Sequence, residues 1–306
     1  MSDPRPQAIA CTEQQDVLGE GVRWDGDRGE LLHVDIVSGR VFRHQVADDG
    51  SLVPVRVYEV PGTVGAIAPV EDGSGWILAA NRGFAYLSSD GELRELASVA
   101  PPGTRMNDAA CDPQGRFWAG TLADDRRAGG GALYRLDRHG RTELVRDGLT
   151  ISNGIGWSPD GTTMYLADSG PRVVHAFAFD GGHATISDER VLIEVPEDVG
   201  APDGLTVDAS GDLWVAIHGA GGVHRYSPAG ELRDVLHVPA AETTCCAFGG
   251  PTLHRLYITT ATENWTDEQR RAAPSAGLVY RLDTGATGRP ADPFRPHAGW
   301  LSDRTM

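Results

Sequence analysis

The feature that most constrains the fold of this chain is a pattern that recurs six times along its 306 residues. Each copy has a short apolar segment, a turn built on Asp or Pro with Gly, a second segment rich in aromatic and β-branched residues, and a third segment. The second segments begin at register positions spaced 45, 41, 47, 49 and 43 residues apart, namely Leu31, Trp76, Phe117, Met164, Leu213 and Leu256. A period of about 40–50 residues with several short strands is typical of a β-propeller.

The repeats therefore predict an all-β protein, a six-bladed β-propeller whose blades surround a central axis. They lie near residues 21–64, 65–106, 107–152, 153–202, 203–244 and 245–290, and we expect the terminal segments to close the ring of a single domain. A sandwich or barrel of short strands is the alternative, but neither fold requires six similar units. Helical patterning is nearly absent, and only residues 267–271 could form a brief turn.

A second pattern lies 10 or 11 residues before each register position. Four of these six positions carry side-chain oxygen atoms, and their occupants are Glu20, Gly65, Asn107, Asn153, Asp203 and Cys245 or Cys246. The innermost strand of each propeller blade lines the axis, so these side chains would converge although they are distant in sequence. Carboxylate and amide oxygens suit Ca²⁺, Mg²⁺ or Mn²⁺, whereas Zn²⁺ is less natural without His or Cys. The sequence thus predicts an axial metal site.

A turn is the competing interpretation of two of these positions. The Asn-Gly at 153–154 and the Asp-Gly at 203–204 are common hairpin-turn dipeptides. However, each of these repeats has a turn elsewhere, at 160–161 and 210–211, and Glu20 is a poor turn residue. Carboxylates gathered without a cation would also repel each other. Together these observations favour metal ligands.

Composition and charge exclude several kinds of partner. The chain has 27 basic and 43 acidic residues, a formal charge of -16, and such a surface repels the phosphates of nucleic acids.

Its four cysteines show neither zinc-finger spacing nor a disulfide framework, which indicates a reducing compartment. The N-terminus lacks the pattern of a signal peptide, and no apolar run approaches the roughly 18 residues of a membrane span. We expect a cytoplasmic protein without a membrane partner.

Five segments carry a more specific likeness, and they occur in a fixed order along the chain. They are LGEGVRW (18–24), RMNDAACDPQGRFWAGT (105–121), SNGIGWSPDGTTMYLADS (152–169), PDGLTVDASGDLWVA (202–216) and CAFGG (246–250). Together they resemble the regucalcin/gluconolactonase family, also called senescence marker protein. The resemblance extends over nearly the whole chain.

The resemblance implies a six-bladed propeller with one divalent cation at its axis and, in most members, activity as a sugar lactonase. By this resemblance Glu20, Asn153 and Asp203 would be the metal ligands, and Asp203 would also be the general base. Arg105 and Asn107 match positions that contact the hydroxyl groups and ring of the substrate.

Two places depart from the usual pattern of that family. Val22 stands where the family usually has Pro after the Glu-Gly pair. In the loop LADDRRAGGG, we assign a substrate contact to Asp125, although Asp124 is also available. Arg126 and Arg127 in the same loop would favour an acidic substrate.

The reaction expected of these residues is the opening of a sugar lactone by water. A divalent cation, most suitably Ca²⁺, can polarise the carbonyl and activate water, while a carboxylate accepts the proton. Arg105 and Asn107 are suited to hold a hydroxyl-rich substrate. No G-x-S-x-G or HExxH pattern supports a serine hydrolase or a zinc protease. The alternatives are a non-catalytic calcium-binding propeller and a related hydrolase of organophosphates or aromatic esters.

The remaining conspicuous residues are expected to be structural. His218 and His224 are predicted at the surface or in the core, although His218 could also lie at the mouth of the channel. The Cys-Cys pair at 245–246 is predicted as small, buried packing. Tryptophans at similar repeat positions should pack between blades, and these are Trp24, Trp76, Trp118, Trp157 and Trp214.

Overall fold

A computed structural model describes residues 7–300, and its strands form six four-stranded antiparallel sheets. In chain order the strands are β1 (Ile9–Ala10), β2 (Gly19–Asp25), β3 (Glu30–Asp35), β4 (Arg40–Val46), β5 (Leu52–Glu59), β6 (Val64–Pro69), β7 (Gly75–Ala80), β8 (Gly83–Ser88), β9 (Leu93–Ser98), β10 (Thr104–Cys111), β11 (Phe117–Ala123), β12 (Gly131–Leu136), β13 (Thr142–Leu149), β14 (Ser152–Trp157), β15 (Thr163–Asp168), β16 (Val173–Asp180), β17 (Thr185–Glu194), β18 (Ala201–Val207), β19 (Leu213–His218), β20 (Gly222–Tyr226), β21 (Leu232–His237), β22 (Thr243–Gly249), β23 (Arg255–Thr260) and β24 (Tyr280–Asp283). Within the described residues the only helix is α1 (Asp267–Ala272), in the region where a brief turn is predicted.

Each sheet is one blade, and the blades follow one another in a ring. Blades 1 to 5 use four consecutive strands each, β2–β5, β6–β9, β10–β13, β14–β17 and β18–β21. Blade 6 has the order β22-β23-β24-β1, so the N-terminal strand supplies its outer edge, with Ile9 opposite Arg281. The inner strand β22 of blade 6 contacts β2 of blade 1, which completes the ring. The expected six-bladed β-propeller is confirmed.

The apolar core lies between blades. The buried residues form six clusters, and each cluster combines side chains from two adjacent blades. For example, Trp214 of blade 5 packs against Phe248 of blade 6, with ring centroids 5.4 Å apart. The five tryptophans named above all belong to such clusters, as predicted. Because each blade buries both faces against its neighbours, the ring places the inner strands around a common axis.

Every inner strand contains an irregularity at the same level of the propeller. In β10, β14 and β18 two residues stand opposite one residue of the next strand, at 107–108, 153–154 and 203–204. In β2 the irregularity comes directly after Glu20. A β-bulge interrupts the regular alternation of side chains and aims them in a new direction. The bulges therefore decide where the predicted site residues point.

The hairpin turns lie where the sequence predicts them. Gly161 has φ 68° and donates its N–H to the Ser158 carbonyl at 2.8 Å, and Gly211 has φ 90° and donates to Asp208 at 3.0 Å. Residues 153–154 and 203–204 lie in strands instead. These two dipeptides are therefore not the hairpin turns of their blades.

The four cysteines all lie within the described part of the chain and are free thiols, three of them buried. Cys246 donates its Sγ–H to the Trp214 carbonyl, in the interface of blades 5 and 6. Among residues 7–300, no helix is long and apolar enough to cross a membrane.

Candidate active site at one end of the axis

A pocket of about 240 Å³ opens where the inner strands begin. Its lining comes from five blades and includes the predicted site residues Glu20, Arg105, Asn107, Asn153 and Asp203. Blade 2 has Gly65 at the equivalent position of its inner strand β6, and in blade 6 the residues at this position, Cys245 and Cys246, line a separate cavity. The structure thus brings together five residues that span most of the sequence.

Gly65 is required for the close approach of two inner strands. A Cβ atom added to it would lie 2.2 Å from the Asn107 carbonyl oxygen, far inside van der Waals contact. The absence of a side chain at this position therefore lets β10 and its Asn107 move towards the axis.

A chain of hydrogen bonds orients the amide side chains across three blades. Arg105 Nη1 donates to Asn107 Oδ1 at 2.7 Å, and Asn107 Nδ2 donates to Asn153 Oδ1 at 3.1 Å. Asn153 Nδ2 donates to Ser169 Oγ at 3.0 Å, and Ser169 donates to the Pro202 carbonyl at 2.7 Å. Because the amide nitrogen of Asn153 is held by Ser169, its oxygen is directed towards Asn107.

Glu20 and Asp203 are the two buried carboxylates of the pocket, and only 4% and 6% of their surfaces are exposed. Burial raises the pKa of Asp203 well above its usual value, and the charge of Glu20 raises it further. Burial also raises the pKa of Glu20, although its Oε2 accepts a hydrogen bond from the Gly21 N–H at 3.0 Å. Asp203 Oδ1 is buried without a hydrogen-bond partner among the described residues. A positive charge would stabilise this arrangement.

The converging residues Glu20, Asn107, Asn153 and Asp203 offer oxygen donors to a cation in this pocket, and His218 also lines it. Within residues 7–300, no three His, Cys, Asp or Glu side chains are grouped so that they could hold a metal ion. A cation in this pocket would therefore need an amide oxygen besides Glu20 and Asp203, and Asn153 provides one. Hard cations such as Ca²⁺ can be coordinated by carboxylate and amide oxygens in the same site.

Asp108, the second residue of the β10 bulge, was missed by the sequence analysis. It is buried in the axial channel and lines a separate cavity together with Arg23. Burial raises the pKa of Asp108, and the charge of Arg23 opposes that effect. The charge of Asp108 in turn raises the pKa values of Glu20 and Asp203. Its place directly after Asn107 in the motif was the available signal.

Charged side chains surround the mouth of the pocket. Arg126 Nη2 lies 2.7 Å from Glu263 Oε2, and His218 Nε2 lies 3.0 Å from Glu242 Oε2. His218 therefore lies at the mouth, one of the positions considered for it. Burial lowers the pKa of Arg105, and the charge of Glu263 makes the largest contribution in the opposite direction. Glu263 was also missed, because it lies between β23 and β24, where the strand pattern of the sixth repeat is interrupted.

Asp125 lies outside this group. It is exposed, and its Oδ1 accepts a hydrogen bond from Arg127 Nη1 at 2.9 Å. The neighbouring Asp124 contributes to the charges that act on Arg105, and Arg126 lines the pocket. The structure therefore brings a basic residue of this loop to the pocket, and the acidic residue assigned from the sequence does not line it.

Two further carboxylates position the inner strands. Asp168 at the end of β15 accepts hydrogen bonds from the backbone N–H groups of residues 150–151, with N···O distances of 2.9 and 2.8 Å. Asp35 at the end of β3 accepts those of residues 17–18, at 2.9 and 3.0 Å. Both hold the chain just before an inner strand begins, and thereby fix the entry to the strands that carry Asn153 and Glu20.

Size alone does not distinguish the axial pocket. The cleft beside Trp214 has a volume of about 460 Å³, and the cleft beside His44 has about 480 Å³. The axial pocket differs because polar side chains from several blades converge in it. Such convergence of charged and polar groups in a concave site indicates a binding or catalytic role.

Comparisons with known proteins identify relatives that match this chain over most of its length. The chain is 36% identical over 278 residues to pentonolactonase XacC of Haloferax volcanii, and the matched region covers 89% of this chain and 93% of that protein. It is 33% identical over 286 residues to 6-deoxy-6-sulfogluconolactonase of Pseudomonas putida, covering 92% and 97%. The crystal structure of a calcium-binding protein, regucalcin, from Agrobacterium tumefaciens has a TM-score of 0.87 at 30% identity and covers 94% of this chain and 96% of that chain.

The names of the two relatives agree with the enzyme class expected from the sequence, a hydrolase of the lactonase type. Residues 18–262 match the family model described as SMP-30/Gluconolactonase/LRE-like region. The chain therefore belongs to the SMP-30/gluconolactonase/LRE-like family.

Proposed function

We propose that the axial pocket hydrolyses a sugar lactone to its aldonic acid with the help of a bound divalent cation. The observation that carries this proposal is the Asp203 carboxylate, which is buried beside Glu20 and has an oxygen without a hydrogen-bond partner among the described residues. The relatives named pentonolactonase and 6-deoxy-6-sulfogluconolactonase support a sugar lactone as the substrate class.

Glu20, Asn153 and Asp203 would hold the cation. The charges of Glu20 and Asp108 disfavour the charged form of Asp203, and a divalent cation relieves that repulsion. Their oxygen donors suit Ca²⁺ best, while Mg²⁺, Mn²⁺ and Zn²⁺ are further candidates. The regucalcin structure named as a calcium-binding protein supports this choice. When bound, such a cation supplies Lewis-acid polarisation of the lactone carbonyl.

The residues of the chain perform the remaining steps. Arg105 and Asn107 bind the hydroxyl groups of the substrate and orient its ring, because the hydrogen bond between them fixes both side chains. Asp203 accepts a proton from the water that attacks the carbonyl carbon. The bond between the carbonyl carbon and the ring oxygen then breaks, and the released oxygen takes up a proton to give the hydroxy acid.

Asp125 stays a predicted substrate contact. Its carboxylate pairs with Arg127 at 2.9 Å outside the pocket, so contact with substrate would require the loop to move.

Proton release over a panel of sugar lactones, in the presence of Ca²⁺, Mn²⁺ or Zn²⁺, tests the proposed activity. Asp203→Asn should lower kcat/KM by about 10²-fold or more, as expected for loss of a general base. Asp125→Asn tests the predicted substrate contact separately, and unchanged kinetics in that variant would contradict it. If no lactone opens faster than in buffer, or if Asp203→Asn is as active as wild type, the proposal is wrong.

Calorimetric titration with each cation tests the ligand set separately. Glu20→Gln, Asn153→Ala and Asp203→Asn should each weaken cation binding, because each loses one oxygen donor or charge. Unchanged affinity in all three would show that the cation binds elsewhere.

A non-catalytic calcium-binding protein is the second candidate, and the regucalcin neighbour named as calcium-binding favours it. It predicts the same weakening of Ca²⁺ binding in the three variants, but no hydrolysis of any lactone. Adding aromatic esters and organophosphates to the same panel separates both candidates from a hydrolase of another substrate class.

A further inference from the structure

The ion pair between Arg126 and Glu263 spans the mouth of the axial pocket. Arg126 lies in the loop between β11 and β12 of blade 3, whereas Glu263 follows β23 of blade 6. Because the inner strands contact one another in ring order, blades 3 and 6 face each other across the axis. Both side chains line the pocket, and they join at 2.7 Å. The pair therefore crosses the axis.

The pair lies on the solvent side of the buried carboxylates. The side chains of Arg126 and Glu263 are 51% and 24% exposed, whereas Glu20 and Asp203 are almost fully buried. The pair therefore lies nearer to solvent than Asp203 does within the same pocket. An ion pair with this exposure costs little to separate, so it can open when a ligand enters.

Glu263 interacts electrostatically with two guanidinium groups. It pairs directly with Arg126, and among the surrounding charges it acts most strongly on Arg105. Arginines commonly bind the carboxylate, sulfonate or phosphate group of a ligand. Here the carboxylate that interacts with two arginines belongs to the protein itself. Glu263 thus fills an anion site of the pocket with a group from the protein.

We infer that Glu263 is exchanged for an anionic group of the substrate, so that the pocket selects sugar lactones with an anionic group remote from the lactone carbonyl. This inference rests on the proposed lactone hydrolysis. On entry the substrate displaces Glu263 from Arg126, and its own anionic group takes the contact. Arg126 is then a specificity-determining residue, and Glu263 is its partner in the free protein.

The charge balance of the pocket supports an anionic substrate. The lining contains the three carboxylates of Glu20, Asp203 and Glu263, and the two guanidinium groups of Arg105 and Arg126. With the divalent cation of the proposed function, one positive charge remains in excess, and one anionic group neutralises it. A neutral lactone must either bind while the ion pair stays intact across the mouth, or break the pair without offering Arg126 a new partner.

The next residue in the loop provides a matched control. Arg127 is also exposed, but it pairs with Asp125 at 2.9 Å and does not line the pocket. Arg126→Gln and Arg127→Gln therefore remove the same charge from the same loop. Only Arg126→Gln removes it from the pocket.

Calorimetric titration of the full-length protein in Ca²⁺-containing buffer, with methyl β-D-glucuronide and methyl β-D-glucoside, tests the inference. These ligands have the same ring and differ in a carboxylate at one end. The glucuronide should bind about tenfold more tightly, as expected for one charge-assisted contact, and added salt should reduce the difference. The preference should disappear in Arg126→Gln and persist in Arg127→Gln. Glu263→Gln should strengthen glucuronide binding and leave glucoside binding unchanged.

Any one of four results would overturn the inference. These are equal affinity for the two ligands in wild type or no glucuronide binding at millimolar concentration, a preference that survives in Arg126→Gln, and an equal loss in both arginine variants. Because neither ligand is a lactone, the outcome is independent of hydrolysis. An anion preference without lactone hydrolysis would refute only the proposed function, and hydrolysis without the preference would refute only this inference.

Discussion

Gly154→Ala is the substitution that most directly tests whether the packing of inner strands sets the geometry of the site. Gly154 follows Asn153 in the bulge of β14 and faces the backbone of β18. An added Cβ atom would lie 2.5 Å from both the Asp203 carbonyl oxygen and the Leu205 nitrogen. Since ordinary contacts of this kind begin at 3.4 Å, the two strands must separate by about 0.9 Å.

The expected effects follow from that displacement. Asp203 lies on the strand that must move, and a misplacement of about 1 Å near reacting groups costs roughly 10²-fold in rate. Overpacking of a close interface also destabilises the fold by about 1–3 kcal/mol. Both effects should arise although no charge and no proposed ligand has been changed.

Gly26→Ala is the matched control. Its added Cβ atom would meet Trp24 Nε1 at 3.4 Å, an ordinary contact, in the turn between β2 and β3. Urea unfolding, calorimetric Ca²⁺ titration and kcat/KM for the best lactone substrate would be measured for both variants. Gly154→Ala should be impaired in all three assays and Gly26→Ala in none. If the two variants behave alike, close strand packing does not position Asp203.

The pKa shifts and backbone caps give three further predictions. Because burial and Glu20 raise the pKa of Asp203, the folded state binds more protons than the unfolded state, and its metal-free stability falls as pH rises through that pKa. In the presence of a chelator, Asp203→Asn should therefore be more stable than wild type by about 1 kcal/mol or more near pH 8, with little advantage below about pH 4. Lower stability of the variant near pH 8 would contradict this prediction. Asp168→Ala removes the acceptor of two backbone N–H groups and should cost about 1–3 kcal/mol in urea unfolding, so an unchanged midpoint would argue against its role. Burial lowers the pKa of His44 from 6.5 to about 3, so its contribution to stability is present above pH 6.5 and lost as pH falls towards 3. The apolar replacement His44→Phe should make acid unfolding less steep, and an identical pH profile would count against this account.

The blades could be predicted from the sequence because their signals are local. Phe117 and Leu213 begin β11 and β19, and Trp76 is the second residue of β7. A turn, an apolar strand and an aromatic strand are each encoded within a few neighbouring residues, and repetition multiplies the signal. Closure of blade 6 by β1 depends on pairing between opposite ends of the chain, so no local pattern specifies its register.

The convergence of Glu20, Asn107, Asn153 and Asp203 could be predicted once the ring was assumed, because a ring brings equivalent positions together. Their side-chain directions could not be predicted, since the bulges that aim them depend on register between strands. The position of Asp125 depended on the path of its loop, which turns that carboxylate towards Arg127. Periodicity carries no information about such a path.

The sequence by itself thus determined the number of blades, their order and the residues that meet at the axis, because these follow from a repeated local pattern. Only the tertiary structure decided which charges face one another. Asp108 is buried beside the axis, and Arg126 and Glu263 pair from corresponding loops of opposite blades, but the repeat pattern shows neither relation. Electrostatic interaction depends on distance and burial, and both arise only when the ring has closed.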